Sequence, residues 1–421
     1  MKPVRLAVVG AGARGSTYAG YAGSHPERAQ IVAVAEPRPF YRQRLAHDHG
    51  IAVECVFADW RQLAQGPRLA DAVILATQDA LHVEPAVALA QRGYHLLLEK
   101  PMAPDASGCH QIYRAVKEAG VILAVCHVLR YTAYTQKLKA LIEAGTIGDI
   151  VNIQRLEPVG YWHQAHSFVR GNWRREDQSS SMLLAKSCHD IDWLRYIMGA
   201  SCQQVSSFGS RRHFRAAERP EGAADNCLDC AVESQCPYSA KKIYLADRLQ
   251  QGHSGWPVDV LSEEATQAGL EKALREGPYG RCVYACDNDV VDNQVVNLLF
   301  AGGRTASFTM TAFSEAAGRQ TRIFGTRGEL RGDDSSITHF DFLSDRTQVI
   351  DTRAPDASIL GGHGGGDFGL MHNFVEAVSR NDPGLVLSGP EETLESHLMV
   401  FAAEQARRAG TVEEVGRVSA S

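Results

Sequence analysis

The stretch Val-Arg-Leu-Ala-Val-Val-Gly-Ala-Gly-Ala-Arg-Gly at residues 4–15 decides the fold. Its first half is an apolar, β-branched run typical of a buried parallel strand. The glycines that follow have the spacing Gly-X-Gly-X-X-Gly and precede a predicted helix, so they permit a tight turn, close approach of a pyrophosphate and close helix–strand packing. The helix N-terminus adds N–H donors and positive potential. The cofactor contacts predicted here are Gly10, Ala11, Gly12, Ala13, Arg14 and Gly15.

Outward from this turn, residues 1–128 alternate between strand and helix patterns. Short apolar runs bounded by turn residues predict strands at residues 4–10, 31–36, 70–77, 94–99 and 121–127. Helical patterns separate them at residues 16–24, 39–49, 82–92 and 107–119. This βαβα alternation predicts an α/β domain, a doubly wound parallel sheet of the Rossmann type that binds NAD(P).

Residues 129–410 show a different pattern, in which apolar and polar residues alternate. Strands are predicted at residues 150–159, 290–300, 305–312, 320–324 and 338–343, and helices at 135–144, 189–198 and 391–408. We therefore expect a C-terminal α+β domain with a large, mostly antiparallel open sheet. Residues 211–287 are rich in Cys, Gly and Pro and are predicted to be an insertion, and residues 411–421 a C-terminal tail.

The composition is that of an ordinary globular protein. Of the 421 residues, 44% are hydrophobic and 22% are charged, and the formal net charge is −6. A weakly acidic chain gives no support for a nucleic-acid or membrane-surface partner. No apolar run approaches the roughly 18 residues of a membrane span, and no secretory signal precedes the first strand. We therefore expect a cytoplasmic protein whose cysteines are thiols or metal ligands before they are disulfides.

An acidic residue stands where a dinucleotide ribose is expected. Glu36 ends the second predicted strand, about 20 residues beyond the glycine turn, where a carboxylate can bind both ribose hydroxyls. This position favours NAD, because the carboxylate would repel the extra phosphate of NADP. Arg38 lies nearby and leaves NADP open as the less favoured cofactor.

Further polar residues follow the next strands at their carboxyl ends, where open α/β sheets bind ligands. Thr77, Gln78 and His82 come after one strand, and Glu99-Lys100-Pro101 after the next. His127 lies at the end of the fifth predicted strand and is predicted either to face the cofactor or to be a core histidine. We expect these residues to complete the cofactor site.

These motifs carry a resemblance to a known family. The glycine turn at residues 10–15, Thr77 with His82, the segment Glu99-Lys100-Pro101 and a later helix with His189 have matching order and spacing from residue 1 to about residue 410. The chain thereby resembles the glucose–fructose oxidoreductase, inositol dehydrogenase and rhizopine-catabolism (Gfo/Idh/MocA) family, in a subgroup with a cysteine-rich insertion.

The resemblance implies an NAD(P)-dependent sugar or cyclitol dehydrogenase whose open sheet packs against a partner subunit, in a homodimer or homotetramer. It further implies that Lys100 contacts the reacting hydroxyl and the nicotinamide region, and that His189 accepts the proton. The chemistry is consistent with these roles, because a secondary alcohol releases hydride only as its proton is removed. A histidine can accept that proton and an ammonium can stabilise the developing alkoxide.

The chain departs from the family pattern four residues before His189. The family commonly has an aspartate there, whereas this chain has Ala185 followed by Lys186. If the segment is helical, Lys186 shares a helix face with His189 and favours its neutral, proton-accepting form. We hypothesise that Lys186 replaces the aspartate in positioning substrate; the alternative is a structural pairing with Asp190.

Two polar segments favour a sugar-type ligand. Aromatic rings interleaved with amide, hydroxyl and guanidinium groups between residues 161 and 174 suit a carbohydrate, whose C–H faces stack on rings while its hydroxyls need hydrogen-bond partners. His166, Arg170 and Trp173 are the predicted substrate contacts there; a packing or subunit contact is the alternative. Asp367, after a run of glycines, is a further predicted substrate contact.

The cysteines of the predicted insertion have the spacing of metal ligands. Cys227, Cys230 and Cys236 follow a C-x2-C-x5-C pattern, and either Cys282 or Cys286 can complete a tetrahedral set. We predict a structural zinc site, since zinc would also explain how a segment with little apolar pattern holds a shape. An iron–sulfur cluster is the second choice, because the spacing does not match the common ferredoxin run; free thiols or disulfides remain open.

The sequence thus predicts an NAD-dependent oxidoreductase acting on a hydroxyl or keto carbon of a sugar, glycoside or cyclitol, with Lys100, His189 and Lys186 as its catalytic residues. An alternative is a redox-neutral enzyme on the same fold that keeps NAD bound and cleaves or eliminates a glycoside. A non-catalytic NAD sensor is a third class, which the Lys100 and His189 pair argues against.

Overall fold

The computed structural model describes residues 2–352 and 363–416, and it contains two sheets. The first sheet is parallel throughout and has the strand order β3-β2-β1-β4-β5-β6, which is the doubly wound order expected for a Rossmann domain. Its strands are β1 Val4–Val9, β2 Ala29–Ala35, β3 Val56–Phe57, β4 Ala72–Leu75, β5 His95–Leu98 and β6 Leu123–Val125.

Helices cover both faces of this sheet, which explains why its central strands are apolar runs. Every residue of β4 is buried, and β1 is buried at all positions except Arg5. The first helices of the chain are α1 Ala13–Ser24, α2 Pro39–Asp48, α3 Trp60–Gln65, α4 Val83–Gln91 and α5 Ala106–Ala119.

The second sheet has nine strands in the order β14-β13-β12-β11-β7-β10-β9-β8-β15. All its neighbouring pairs are antiparallel except β7 with β10, so the sheet is mixed and mostly antiparallel, as predicted. Its strands are β7 Ile150–Pro158, β8 Cys202–Ser210, β9 Asn293–Phe300, β10 Thr305–Thr311, β11 Gln320–Gly325, β12 Gly328–Gly332, β13 Ser336–Asp341, β14 Arg346–Asp351 and β15 Val412–Glu414.

Helices pack on one face of this second sheet, and one apolar cluster runs from them into the Rossmann sheet. None of the helices within residues 2–352 and 363–416 is long and apolar enough to cross a membrane. The remaining helices are α6 Ala133–Glu143, α7 Tyr161–His163, α8 Met182–Ala185, α9 Cys188–Met198, α10 Val258–Leu261, α11 Gln267–Glu276, α12 Gly366–Arg380 and α13 Pro390–Ala409.

The cysteine-rich segment lies between two neighbouring strands of the second sheet, since β8 ends at Ser210 and β9 begins at Asn293. It consists of short helical turns with α10 and α11, and it has its own apolar cluster. Phe214, Tyr244 and Leu270 are fully or almost fully buried in that cluster. The segment is therefore a compact unit rather than an open loop.

Two features of the fold differ from the sequence prediction. Helix α12, within the range assigned to the second domain, packs on the Rossmann sheet: Leu370 and Phe374 are buried with Leu6 and Tyr18. The predicted tail contains β15, which pairs with β8 and extends the second sheet to Glu414. Burial of its apolar face holds α12 on the Rossmann sheet. Strand β15 is held by backbone pairing with β8, since its Val412 is 65% exposed.

Candidate active site

The glycine-rich turn after β1 has the geometry that a dinucleotide needs. Gly10 has φ +89°, and a Cβ on it would lie 2.5 Å from the carbonyl oxygen of Ala76. A Cβ on Gly15 would lie 2.0 Å from the carbonyl oxygen of Gly10, so neither position accepts a side chain. No side chain caps α1 at Gly12 and no acidic residue lies in its first turn, so its positive N-terminal potential is left for a phosphate.

Glu36 lies directly after β2 and faces this turn. Its carboxylate accepts hydrogen bonds from the Ala11 backbone N–H at 2.9 Å and from the Arg38 Nε at 2.7 Å. Burial alone would raise the pKa of Glu36, but the hydrogen bonds from Arg38 and Ala11 hold it below its ordinary value. The group is therefore a buried carboxylate beside the predicted ribose position, with an arginine already in contact.

A buried charge cluster supports the other side of the turn. Arg14 donates to Glu99 at 2.7 Å and to Asp367 at 2.5 Å, and the Tyr18 hydroxyl donates to Glu99 at 3.0 Å. Burial opposes ionisation of Glu99, but the charges of Arg14 and Lys100 lower its pKa overall. Asp367, predicted to be a substrate contact, thus lies next to the glycine turn at the start of α12.

His82 ties together the two loops that end β4 and β5. Its Nδ1 lies 2.8 Å from the carbonyl oxygen of Pro101, and its Nε2 lies 3.1 Å from that of Thr77. The ring is fully buried. Gln78 begins the helical turn at Asp79–Leu81 between the two contacts. His82 therefore positions the loops, whereas the backbones of Thr77 and Gln78 lie at the edge where a cofactor is expected.

Lys100 extends from the end of β5 to the second domain. Its Nζ donates to the carbonyl oxygen of Ala185 at 2.7 Å, at the last residue of α8. Ala185 occupies the position where the resemblance implies an aspartate, and the acceptor here is its backbone carbonyl rather than a side chain. An ammonium has three donors, and the others can meet a ligand hydroxyl.

Lys186 lies between two helices rather than on the helix of His189. Helix α8 ends at Ala185 and α9 begins at Cys188, so the shared helix face predicted from the spacing is not formed. The Lys186 Nζ lies 3.3 Å from Glu157, and the predicted alternative partner Asp190 instead contacts Arg155 at 2.7 Å. Burial lowers the pKa of Lys186, although the charge of Glu157 partly opposes this.

Arg319 completes a buried ion network beneath this site. It contacts Glu157 at 2.8 Å and Asp190 at 2.7 Å. Burial would raise the pKa of Asp190, but Arg319 and Arg155 hold it below its ordinary value. Glu157 and Arg155 lie two residues apart on the inner face of β7. Charged residues at two core positions of one predicted strand were the sequence signal for this network.

His189 is the second residue of α9 and is almost fully buried, with 5% of its surface exposed. Its ring packs edge-on against that of His127, with centroids 5.8 Å apart. His127 is fully buried and also packs against His397 at 5.5 Å, and burial lowers its pKa to about 3. His127 is thus the core histidine of the two alternatives, packed behind His189.

The sequence prediction did not include His163, at the end of α7, as a site residue. Burial lowers the pKa of His163 well below its ordinary value, and the charges of Lys186, His166 and Lys100 lower it further. Burial and the charges of both lysines therefore favour the neutral form of the His163 imidazole. The sequence feature that could have identified His163 is the aromatic and polar segment at residues 161–174, in which it lies.

Two of the three predicted substrate contacts in that segment pack against the insertion. The His166 Nδ1 forms a hydrogen bond of 2.9 Å with the Tyr244 hydroxyl, and its ring stacks on that of Tyr279 with centroids 4.9 Å apart. The Arg170 Nε donates to the Arg281 carbonyl oxygen at 2.8 Å. Trp173 is 38% exposed, with its ring 6.2 Å from that of Phe168. His166 and Arg170 thus match the packing alternative, because both are buried against the insertion.

All ten cysteines are thiols in the structure. Cys227, Cys230, Cys236 and Cys282 line one cavity of about 280 Å³ together with Arg170. Within the described part of the chain, however, no three His, Cys, Asp or Glu side chains are arranged to hold a metal ion. The predicted structural zinc is therefore not supported, because a zinc ion requires its ligands to converge at about 2.3 Å.

Comparison with protein families gives a match over both halves of the chain. Residues 4–127 match the model of an oxidoreductase family with an NAD-binding Rossmann fold. Residues 139–415 match the model of the C-terminal alpha/beta domain of the same family.

Individual relatives are distant in sequence. YteT of Bacillus subtilis is 24% identical over 344 residues, which cover 76% of each chain. The 2,7-anhydro-N-acetylneuraminate hydratase of Escherichia coli is 26% identical over 206 residues, so the match spans 49% of this chain and 52% of the hydratase. A solved levoglucosan dehydrogenase in complex with NADH and L-sorbose has a TM-score of 0.73 at 20% identity, with 99% of this chain and all of the other covered. At that identity the likeness supports the fold.

Proposed function

Since the chain belongs to the Gfo/Idh/MocA oxidoreductase family, we propose that it oxidises a hydroxyl of a sugar, glycoside or cyclitol, with NAD supplying the hydride acceptor when bound. The observation that carries this proposal is the hydrogen bond of 2.7 Å from Lys100 to the Ala185 carbonyl. It joins the carboxyl end of a Rossmann strand to the segment that leads into His189. Levoglucosan dehydrogenase, a sugar enzyme by name, has the same fold.

We assign the proton chemistry to Lys100 and His189. The Lys100 ammonium, held by one hydrogen bond, donates another to the substrate hydroxyl and stabilises negative charge as the proton leaves. The His189 imidazole accepts that proton. Lys186 and His163 stand close enough to Lys100 to influence each other's charge, and we assign them to positioning the substrate.

We assign cofactor binding to residues 1–128 and substrate binding to residues 129–410. The turn at residues 10–15 and the N-terminus of α1 hold the pyrophosphate, and Glu36 accepts from the ribose hydroxyls. NAD is favoured over NADP because Glu36 is a buried carboxylate. Ten cysteines without a disulfide suit the cytoplasm, where we place the reaction.

The alternative is a reaction without net oxidation, in which NAD stays bound. The relation to a 2,7-anhydro-N-acetylneuraminate hydratase favours this candidate, since that name describes addition or removal of water rather than a dehydrogenation. The same residues would serve, because transient oxidation needs the same proton acceptor and the same cation.

A panel of sugars, glycosides, cyclitols and keto-sugars with NAD or NADP distinguishes the two. We expect NADH, followed by its near-ultraviolet absorbance, to accumulate in proportion to the oxidised product identified by mass spectrometry. Conversion of a glycoside without accumulation of NADH would instead support the redox-neutral reaction. The Lys100→Met variant, which should still bind NAD, is the control for activity at this site.

A further inference from the structure

The loop at residues 247–256 of the insertion forms a cavity that the chemistry described above does not use. Its volume is about 460 Å³, which is within the range of small-molecule sites. The polar side chains of Asp247, Arg248 and His253 line it together with the indole of Trp256. Trp256 is 48% exposed. The cavity therefore presents a half-exposed aromatic ring among hydrogen-bonding groups.

A cluster of rings from the segment after β7 holds Trp256 in place. The centroid of its ring system lies 5.0 Å from that of His163 and 5.3 Å from those of Trp162 and His166. The three rings meet the indole at interplanar angles between 53° and 87°, so none of them stacks flat on it. The indole is thus fixed by its neighbours while part of its surface stays available for a ligand to stack on.

This ring cluster begins beside the proposed reaction site. His163 follows Glu157 by six residues, and the Glu157 carboxylate lies 3.3 Å from the Lys186 Nζ. The carbonyl of the residue before Lys186 accepts the hydrogen bond of 2.7 Å from Lys100. The His163 ring therefore lies between the segment that carries these charges and Trp256, and a ligand larger than one sugar ring can extend from the reaction site toward the cavity.

Arg248 and Asp247 attach the wall of the cavity to α7. The Arg248 guanidinium lies over the Trp162 ring, 4.0 Å from its centroid. Asp247 accepts from Lys242, which also donates to the Tyr161 hydroxyl at 3.3 Å. A guanidinium has several N–H donors in the plane of the group, so Arg248 can stack on the indole and still donate to hydroxyl groups.

An aromatic surface bordered by polar side chains suits a sugar ring, whose C–H face stacks while its hydroxyls form hydrogen bonds. We propose that this cavity is a second sugar subsite and that Trp256 is its stacking platform. The substrate is then a glycoside or disaccharide: one ring reacts at Lys100 and His189, and the neighbouring ring stacks on Trp256. The assignment of the first ring rests on the proposed function, whereas binding of the second ring requires no cofactor.

The test compares disaccharides with monosaccharides on the full-length protein. An array of mono- and disaccharides of the common hexoses, hexosamines and uronic acids is probed without NAD, and the best disaccharide and its component monosaccharides are then titrated by calorimetry. We expect the disaccharide to bind about tenfold more tightly than either component. With NAD present, kcat/KM should favour the disaccharide by a similar factor.

Variants of Trp256 attribute this preference to the cavity. Trp256→Ala should weaken disaccharide binding about tenfold and leave monosaccharide binding unchanged, because only the second ring loses its stacking partner. Trp256→Phe keeps an aromatic face and should retain most of the preference. Val260→Ala is the matched control, since Val260 is 42% exposed in the same insertion and does not line the cavity.

The outcomes separate this proposal from the proposed function. Equal affinity for mono- and disaccharides, no disaccharide bound on the array, or a preference that persists in Trp256→Ala would overturn the second subsite. If Trp256→Ala fails to fold, Arg248→Met must show the same selective loss of disaccharide binding, and an equal loss for both sugars would contradict the proposal. A disaccharide preference in a protein that reduces no NAD with any sugar would support the subsite and contradict the dehydrogenase.

Discussion

At the scale of single residues, Ala185 alters the charge of the site without breaking its geometry. Its backbone carbonyl holds Lys100 at 2.7 Å, but its methyl group supplies no negative charge. The next residue, Lys186, adds a cation whose only close carboxylate among the described residues is Glu157, at 3.3 Å. In the mechanism that we propose, these two ammonium groups would stabilise the developing alkoxide.

Replacement of Lys186 tests its role directly. We expect Lys186→Met to lower kcat/KM at least tenfold, about 1.4 kcal/mol of transition-state stabilisation, because one cation near the alkoxide is lost. NAD affinity should not change. Steady-state kinetics with the best alcohol of the panel and an NAD titration measure both effects.

The control is Lys137→Met on the exposed side of α6. Turnover of the Lys186→Met variant equal to that of this control would show that Lys186 does not position substrate. A fall in kcat with unchanged KM would assign its effect to the transition state alone.

Cofactor choice is also a matter of one residue. Arg38 binds Glu36 through its backbone N–H at 3.0 Å and its Nε at 2.7 Å. We expect Glu36→Ala to weaken NAD binding about tenfold, since a hydrogen-bonded carboxylate at the ribose is lost. NADP binding should tighten, because Arg38 is released to meet the extra phosphate. Fluorescence titration with each cofactor measures the two dissociation constants.

The double variant Glu36→Ala/Arg38→Ala separates the two causes. It should bind both cofactors weakly, as neither the carboxylate nor the guanidinium remains. If Glu36→Ala retained the original preference for NAD, the assignment of Glu36 to the ribose would be wrong.

At the scale of elements, buried histidines connect the helices around the site. His127 precedes a helical turn after β6, and His166 lies in the helical segment after α7. Burial lowers the pKa of each to about 3, from an ordinary value of 6.5. As the pH falls below 6.5, the unfolded chain therefore takes up protons that the folded chain excludes.

This difference predicts a loss of stability in mild acid. The stability that the two rings contribute is present above about pH 6.5 and is lost as the pH falls toward the folded-state pKa, by up to about 1.4 kcal/mol per pH unit for each ring. Buried carboxylates such as Asp192, whose pKa is lowered, also stabilise the fold, but their contribution is lost only below about pH 4. Urea unfolding between about pH 7 and pH 5 measures the slope.

The His127→Gln variant removes one titrating ring from the comparison. Its unfolding free energy should depend on pH with a slope smaller by about one proton. A slope identical to that of the unaltered chain would mean that His127 is not held neutral in the folded state.

The elements differ in how well the sequence predicts them. Runs such as β4 and β5 were predictable because both their faces are buried, so the strands are apolar throughout. Strand β8 was not predicted, since its sequence Cys-Gln-Gln-Val-Ser-Ser-Phe-Gly-Ser is largely polar and its pairing with β9 and β15 defines it. Helix α12 has the apolar spacing of a buried helix, but its partner sheet lies far away in sequence.

The site residues also differ in how well the sequence predicts them. The glycine turn, Glu36 and the Lys100 segment are local motifs, and the structure brings them to one edge of the Rossmann sheet. The Arg319 network and the inward position of His166 depend on contacts between residues far apart in the chain, which no local spacing encodes. The four cysteines predicted as metal ligands do line one cavity, but the described side chains lack the arrangement that a metal ion needs, which their spacing could not reveal.

At the scale of the whole molecule, the outer face of the second sheet carries exposed apolar residues. Phe208 is 66% exposed and Val295 is 37% exposed, and the two are paired across β8 and β9. Apolar residues clustered on an open sheet are characteristic of subunit contacts. The homodimer or homotetramer that the family resemblance implies stays a prediction, and this face is its candidate contact surface.

We predict that this face mediates assembly. Sedimentation velocity should give a dimer or tetramer for the unaltered protein, and a monomer for Phe208→Glu/Val295→Glu, because charges would be buried without partners. Val53→Glu, at a position 85% exposed on the Rossmann domain, should leave the assembly unchanged. A monomeric unaltered protein would exclude this interface.

The most direct test of the proposed chemistry follows a deuterium label on the reacting carbon of the best substrate in the panel. If Lys100 and His189 serve hydride transfer to NAD, mass spectrometry will find the label in the reduced cofactor, in amounts equal to the oxidised product. Both variants, Lys100→Met and His189→Asn, should lose this transfer while they still bind NAD. Product formed with the label absent from the cofactor would contradict the account.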